Sequence, residues 1–231
     1  MLPNSKGRLI KSLESCFDII EFLMQEDGGT LDDIADNLEV SRSTAHNHLS
    51  TLAKRGYVER YGQEYRVGLG FLQLGEYAKN SNPQFTSMEP IVCDLAERTG
   101  EEADFTVPEN GRLVSLYHEV GQQKEPGSQV GSTFYMHNTA AGKSILAELS
   151  TDQINDILDC WGMPSVTEQT ITDRDELFSE LEEIRSQGYA VNNQEYMDGY
   201  RSVGAVVTNS AGTILGSLCV GGPKYRMSRE K

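Results

Sequence analysis

Apolar residues recur at helical steps through the first 54 positions. Ile10, Leu13, Phe17, Ile20 and Met24 follow one another at three- and four-residue intervals, with Phe22 and Leu23 beside them. That is the spacing of one helix face, and it predicts a helix with an inward stripe. Asp27-Gly28-Gly29 ends it, because glycine accepts the left-handed cap conformation. Thr30 is placed to cap a second helix, with Asp32 and Asp33 in the first turn, where the dipole favours carboxylates. Leu31, Ile34, Ala35 and Leu38 form its inward side. After the short Glu39-Val40 turn, Ser41 caps a third helix over residues 41–54. Its apolar side is Ala45, Leu49 and Leu52; its polar side is Arg42, Ser43, His46 and Asn47.

Past Gly56 the period drops to two. Residues 57–61 alternate as a strand, Gly62-Gln63 turns, and residues 64–67 return. Three helices followed at once by a hairpin predict a winged helix-turn-helix. A generic three-helix bundle or a protein-docking module would share the helices but not the hairpin. In GLGFLQLGEYAKN (68–80), Leu69, Leu72, Gln73 and Tyr77 keep helical spacing, with Phe71 and Leu74 beside them. This short apolar helix either pairs with its copy in a dimer or packs back on its own domain. Ser81-Asn82-Pro83 breaks it. The expected division is a winged helix-turn-helix DNA-binding domain over 1–67, a linker and dimerisation helix over 68–82, and a second domain over 83–231.

In that second domain residues 83–98 read as one helix with Met88, Ile91, Val92, Leu95 and Ala96 inward. Residues 102–107 and 112–120 read as strands around a Pro108-Glu109-Asn110-Gly111 turn, and 122–129 as a polar loop. Further helices are expected over 138–149, from a Thr151 cap to Leu158, and from a Thr172 or Asp173 cap to Gly188. Strands follow at 189–192, 201–208 and 214–220, the last ended by Gly221-Gly222-Pro223. Helix, hairpin, helices, hairpin predicts a mostly antiparallel sheet carrying helices, an α+β fold.

Total charge by itself opposes a nucleic-acid role, since the formal net charge is −15. The acid is unevenly placed. Residues 1–80 carry nine Lys and Arg against twelve Asp and Glu, whereas residues 81–231 carry eleven against twenty-three. Eight lysines against twelve arginines, with abundant carboxylates, fit a surface for a salt-rich cytoplasm and predict a halophilic archaeal source. Salt weakens the counterion-release part of DNA binding. Such a protein leans on hydrogen bonds, shape and dimerisation. The start of the chain lacks a signal-peptide core, and no apolar run of membrane-spanning length occurs, so a cytoplasmic location and no membrane partner are expected.

Of the third helix, Ser43, Thr44, His46 and Asn47 are the candidate groove-facing residues, because Asn can pair twice with adenine and hydroxyls reach bases or phosphates. Ser41 and Arg42 at its start, and Arg60, Tyr61, Gln63 and Arg66 on the wing, are candidate phosphate or minor-groove contacts. His46 and His48 could equally be plain exposed helical histidines. Gly142-Lys143-Ser144 looks like the end of a phosphate-binding loop, but position 137 is His where that motif needs Gly. No nucleophile elbow surrounds any serine, and His118 in a strand reads as structural. Cys16, Cys93, Cys160 and Cys219 lie far apart, without metal-ligand spacing. No enzyme activity, cofactor or metal is expected.

Several stretches together resemble the IclR family of transcriptional regulators. They are LAKRGYVER and YRVGLGFLQLG in the first half, then MHNTAAGKSILAEL, TEQTITDRDELFSELEEIRSQGYAVNNQEYMDGYRSVGAVV and GSLCVGGPKYR. The resemblance implies a winged helix-turn-helix, a linker helix and a GAF-like effector domain. It implies a homodimer or homotetramer on a palindromic double-stranded DNA operator, answering to an organic, aromatic or sugar acid. Matched by motif position, Asn192, Ser202, Cys219 and Gly221 take polar ligand positions, with Gly131, Met136 and Tyr200 on the apolar wall. The chain departs from the acid-binding pattern: an amide at 192, serine at 202, cysteine at 219 and glycine at 221 make a small 2-oxo acid doubtful. The family has one more helix after the GP-x-x-R stretch, whereas this chain stops at Lys231. A regulator answering to a protein partner, and an enzyme with an appended DNA-binding module, are the alternative readings.

Overall fold

A computed structural model describes residues 8–121 and 129–227. The chain divides into two compact units, one ending at Ser81 and the other beginning at Asn82.

The first unit holds α1 (Lys11–Gln25), β1 (Gly29–Thr30), α2 (Leu31–Asn37), α3 (Arg42–Lys54), β2 (Val58–Tyr61), β3 (Glu64–Val67) and α4 (Gly70–Asn80). Thr30 closes a capping box: its hydroxyl accepts the Asp33 N–H, and the Asp33 carboxylate accepts the Thr30 N–H at 2.9 Å. The same residue belongs to β1, which pairs antiparallel with β3 and makes the wing three-stranded in the order β1-β3-β2. The pattern 27–30 had suggested only a helix stop and a cap. A two-residue strand has no periodicity to show. Ile19, Ile20, Leu23, Ile34, Ala45, Leu49, Leu52, Val58 and Tyr65 form the core.

The stripe expected to face inward on α1 is corrected. Only Ile20 of the five is buried; Ile10, Leu13, Phe17 and Met24 are exposed, and Ile19 and Leu23 take the core positions. The helix has two apolar faces, and this unit's own core takes the one with Cys16, Ile19, Ile20, Phe22 and Leu23. On α4, Phe71 packs its ring 4.7 Å from Tyr57, while Leu72, Leu74 and Tyr77 stay exposed. Gly68 and Gly70 lie so close to the Gly56 carbonyl that a methyl at either would collide with it.

The second unit holds α5 (Pro83–Thr86), α6 (Glu89–Thr99), β4 (Glu102–Glu109), β5 (Arg112–Val120), β6 (Thr133–Phe134), α7 (Ala140–Leu146), α8 (Thr151–Trp161), α9 (Arg174–Gln187), β7 (Ala190–Asn193), β8 (Tyr200–Thr208) and β9 (Ile214–Pro223). The strands form one antiparallel sheet, β6-β5-β4-β9-β8-β7. One face carries α6 over Val92, Ala96, Ala103, Phe105 and Val107. The other carries α7, α8 and α9 over Leu113, Ile145, Ile154, Leu177, Leu181 and Ala190. This is the α+β layering that the element order predicted.

Four further boundaries differ from expectation. The helix expected over 83–98 is broken into α5 and α6, because Pro90 has no amide hydrogen to donate one turn back. The helix expected over 138–149 is shorter, Ala140–Leu146, capped by Thr139. Ser150, not Thr151, caps α8, in a capping box with Gln153. β9 runs on through Gly221-Gly222-Pro223, since Gly221 pairs with both Glu102 and Ser202. Most of the expected polar loop, residues 122–128, lies outside the described residues.

Candidate functional site: a recognition helix and an acidic cavity

The polar side of α3 is built from its cap. Ser41 Oγ accepts the Thr44 N–H at 3.1 Å and bonds the hydroxyls of Ser43 (3.0 Å) and Thr44 (2.7 Å). Thr44 is half-buried and serves the cap. Ser43, His46, Asn47 and Ser50 are exposed and share the outward face at helical spacing. Ser50 escaped the sequence reading, although its i+3 and i+4 relation to Asn47 and His46 could have found it. His48 turns the other way: its Nδ1 lies 3.3 Å from Cys16 Sγ, fastening α3 to α1. Arg42 pairs with Asp32 at 3.0 Å on the surface.

On the wing, Arg60 Nε donates to the Gly62 carbonyl at 2.9 Å, with its guanidinium over Tyr65. Arg66 lies over the Tyr61 ring and 3.5 Å from Glu64. Arg60, Tyr61, Gln63 and Arg66 are all exposed. The wing is stiffened by its own side chains yet keeps two cations at the surface, where the pairs cost little to break.

The second unit has a cavity of about 440 Å³ of atom-free space, part of it open to solvent. It lies between the sheet and the start of α7. Its lining is Asp104 and Thr106 of β4, Leu113, Phe134, residues 139–141, Asn192, Tyr196, Tyr200, Ser202 and Cys219. Alternation decides this: Glu102, Asp104 and Thr106 face α7, while Ala103, Phe105 and Val107 face α6.

Glycines make the room. A methyl on Gly221 would occupy the place of the Tyr200 hydroxyl, and one on Gly204 would meet the backbone of Ala140 and Ala141. Tyr200 donates to Glu102 Oε2 at 3.3 Å. Asn192 Oδ1 accepts the amides of Glu195 (2.9 Å) and Tyr196 (3.3 Å), folding the turn that brings Tyr196 over the cavity. Tyr196 meets Phe134 edge-on, centroids 5.4 Å apart.

Of the seven effector candidates, Asn192, Tyr200, Ser202 and Cys219 converge on this cavity. Gly221 lies beneath Tyr200. Met136 is buried in the α7–α9 core. Gly131 is an exposed turn residue at φ +87°. Asp104, Thr106 and Tyr196 were not foreseen.

Burial pushes the Asp104 carboxyl up to about 7, with the neighbouring Glu102 charge adding to it. Burial, then Glu102 and Asp104, also raise the Tyr200 phenol. The Cys219 thiol is raised well above its usual range by burial and by Asp104. A thiol held in its protonated form is a poor nucleophile.

Lys143, from the stretch that imitates a phosphate loop, is fully buried. Its Nζ donates to Glu180 Oε1 and Glu195 Oε1, both at 2.5 Å. Gly142 allows Met136 to cross the helix, since any side chain would strike Met136 backbone. This glycine and lysine hold the fold together. Among the described residues no His, Cys, Asp and Glu cluster could hold a metal, and no helix is long and apolar enough to cross a membrane.

The description "IclR helix-turn-helix domain" matches residues 12–62. "Bacterial transcriptional regulator IclR C-terminal" matches residues 78–231. The chain is 29% identical over 229 residues to the "Probable HTH-type transcriptional regulator ArcR" of Halobacterium salinarum, covering 97% of this chain and 87% of that protein. It is 29% identical over 222 residues to BhcR of Paracoccus denitrificans, covering 95% and 80%. Among solved structures, the Thermotoga maritima IclR superposes with a TM-score of 0.79 at 26% identity, over 95% of this chain and 90% of that one.

Proposed function

The chain belongs to the IclR family of transcriptional regulators, and from that premise we propose how its parts divide the work. The family and the relatives named above are regulators of transcription, with a DNA-binding helix-turn-helix domain and a C-terminal effector-binding domain. Here α3 enters the major groove and reads bases with Ser43, His46, Asn47 and Ser50. Ser41, Arg42, Arg60, Tyr61, Gln63 and Arg66 hold the backbone or reach the minor groove.

The observation that carries this reading is the outward face of α3: four exposed hydrogen-bonding side chains, with a wing directly behind. Weak cationic content at that face, in an acidic chain, fits a cytoplasm rich in salt, where specificity rests on base contacts. The unpartnered faces of α1 (Leu13, Phe17, Met24) and α4 (Leu72, Leu74, Tyr77) fit a homodimer, or a tetramer built from it, on a palindromic operator.

A small molecule in the cavity then shifts the population of DNA-binding arrangements. The acid effector implied by resemblance does not suit the lining, which holds Asp104 and no lysine or arginine among the described residues. Gel-shift titration of the intact protein against a genomic operator library at molar KCl tests the assignment. Selection of a palindromic sequence supports it, and equal affinity for all sequences refutes it.

A further inference from the structure

We propose that the cavity selects an organic cation, an ammonium or guanidinium group carried on a short hydroxylated or carbonyl-bearing chain. This rests on the effector-cavity reading and adds the charge of the ligand.

Two independent observations carry it. First, nothing among the described residues donates a hydrogen bond to the Asp104 carboxylate, which lines the cavity. A half-buried carboxylate facing a cavity gains from a counter-charge brought to it. The cations on adjoining elements are committed elsewhere. Arg112 donates to the Phe134 carbonyl at 2.9 Å and lies 3.8 Å above the Tyr135 ring. Arg201 bonds Asn193 Oδ1 (2.8 Å) and the Met227 carbonyl (3.2 Å). Lys143 bonds Glu180 and Glu195. Second, the Thr106 hydroxyl, on the same strand face and 2% exposed, has no hydrogen-bond partner among the described residues. It is a built polar contact awaiting a ligand atom. Phe134, Tyr196 and Tyr200 supply rings, and ring faces attract cations.

The groups around Asp104 add no positive charge near neutral pH. Glu102 shares its strand, Cys219 stands opposite it on β9, and Tyr200 and Tyr196 close the cavity from β8 and the turn after β7. His118, its register partner on β5, is held below the usual histidine range by burial. Near neutral pH the Cys219 thiol and both phenols are uncharged, so the negative charge at the site is that of Asp104 and Glu102.

The test uses three probes on one four-carbon chain: 4-aminobutan-1-ol (cation), butane-1,4-diol (neutral) and 4-hydroxybutanoate (anion). Their affinities for the full-length protein are measured by ligand-observed NMR at fixed ionic strength. The amine should bind at least about tenfold tighter than the other two, a factor of ten being about 1.4 kcal/mol. Because Asp104 ionises near pH 7, amine affinity should rise about tenfold from pH 6 to pH 8 as the deprotonated fraction grows. Asp104→Asn should abolish both the preference and the pH dependence while keeping diol affinity. Tighter binding of the acid, or amine affinity that falls with pH, overturns the charge assignment and leaves the effector cavity standing. No binding by any probe at 100 mM removes both.

Discussion

Replacing Lys143 by Met tests the interior of the second unit most sharply. The lysine is 0% exposed and donates to two carboxylates, Glu195 (buried, with Oε2 also accepting the Asn193 N–H at 3.0 Å) and Glu180, 27% exposed at its side chain. Methionine keeps the length of the chain but removes the charge. Glu180 can turn to water; Glu195 cannot. The loss should be about 3–5 kcal/mol at pH 8, the cost of leaving a buried charge unpaired.

The pH dependence follows from Glu195. Burial raises its carboxyl above the usual value, and Lys143 opposes that rise. Without the lysine it is raised further. A carboxyl raised on folding adds stability that is fully present below its unfolded value and is lost as pH rises through its folded value. The variant should therefore be penalised less at pH 5 than at pH 8. Glu195→Gln in the Lys143→Met background removes the stranded charge and should restore part of the loss.

Urea unfolding followed by Trp161 reads this unit, since the chain has one tryptophan and it lies on α8. Urea leaves ionic strength fixed. A loss below about 1 kcal/mol, equal losses at both pH values, or a double variant no better than the single would refute the account.

Asn47→Ala should lose about 1–3 kcal/mol of discrimination at one base position; competition gel shifts that fall equally for all sequences would reassign Asn47 to the phosphates. Phe17→Ser with Leu72→Ser should leave a folded monomer by sedimentation, if the exposed faces of α1 and α4 are the self-association surface. Thr30→Ala should cost about 1 kcal/mol through loss of the capping box, read as an earlier thermal midpoint in the isolated residues 8–81, whose core is closed within that unit. Gly142→Ala drives a methyl into the Met136 backbone and should cost about 1–3 kcal/mol by the same urea assay, whereas Gly75→Ala, with open space around it, should be neutral or better.

How much of this could be read from the chain depends on what each residue must satisfy. The capped helices and hairpins were legible because one local rule governs each: Ser41 before α3, Asp173 before α9, Gly100 and Gly188 in the left-handed conformation after α6 and α9. The inward side of α1 was not, because hydrophobicity alone cannot tell a core position from an exposed one, and this helix carries apolar residues of both kinds. Spacing rules out a P-loop at Gly142-Lys143-Ser144, but the use of the lysine is hidden in the sequence, since Glu180 and Glu195 stand 37 and 52 residues away.

The cavity shows the limit most clearly. Residues 102–107 alternate strictly, Glu-Ala-Asp-Phe-Thr-Val, which sequence alone reads as a strand with one wet face. Both faces of this sheet are covered by helices. A polar face beneath a helix layer costs free energy unless something polar meets it, and Glu102, Asp104 and Thr106 put such a face under α7. Reading that face needed one fact beyond the pattern: that α7 lies over it. Gly204 bears on that fact, since a methyl there would strike Cys219 Sγ and press on the backbone of Ala140 and Ala141 at the start of α7.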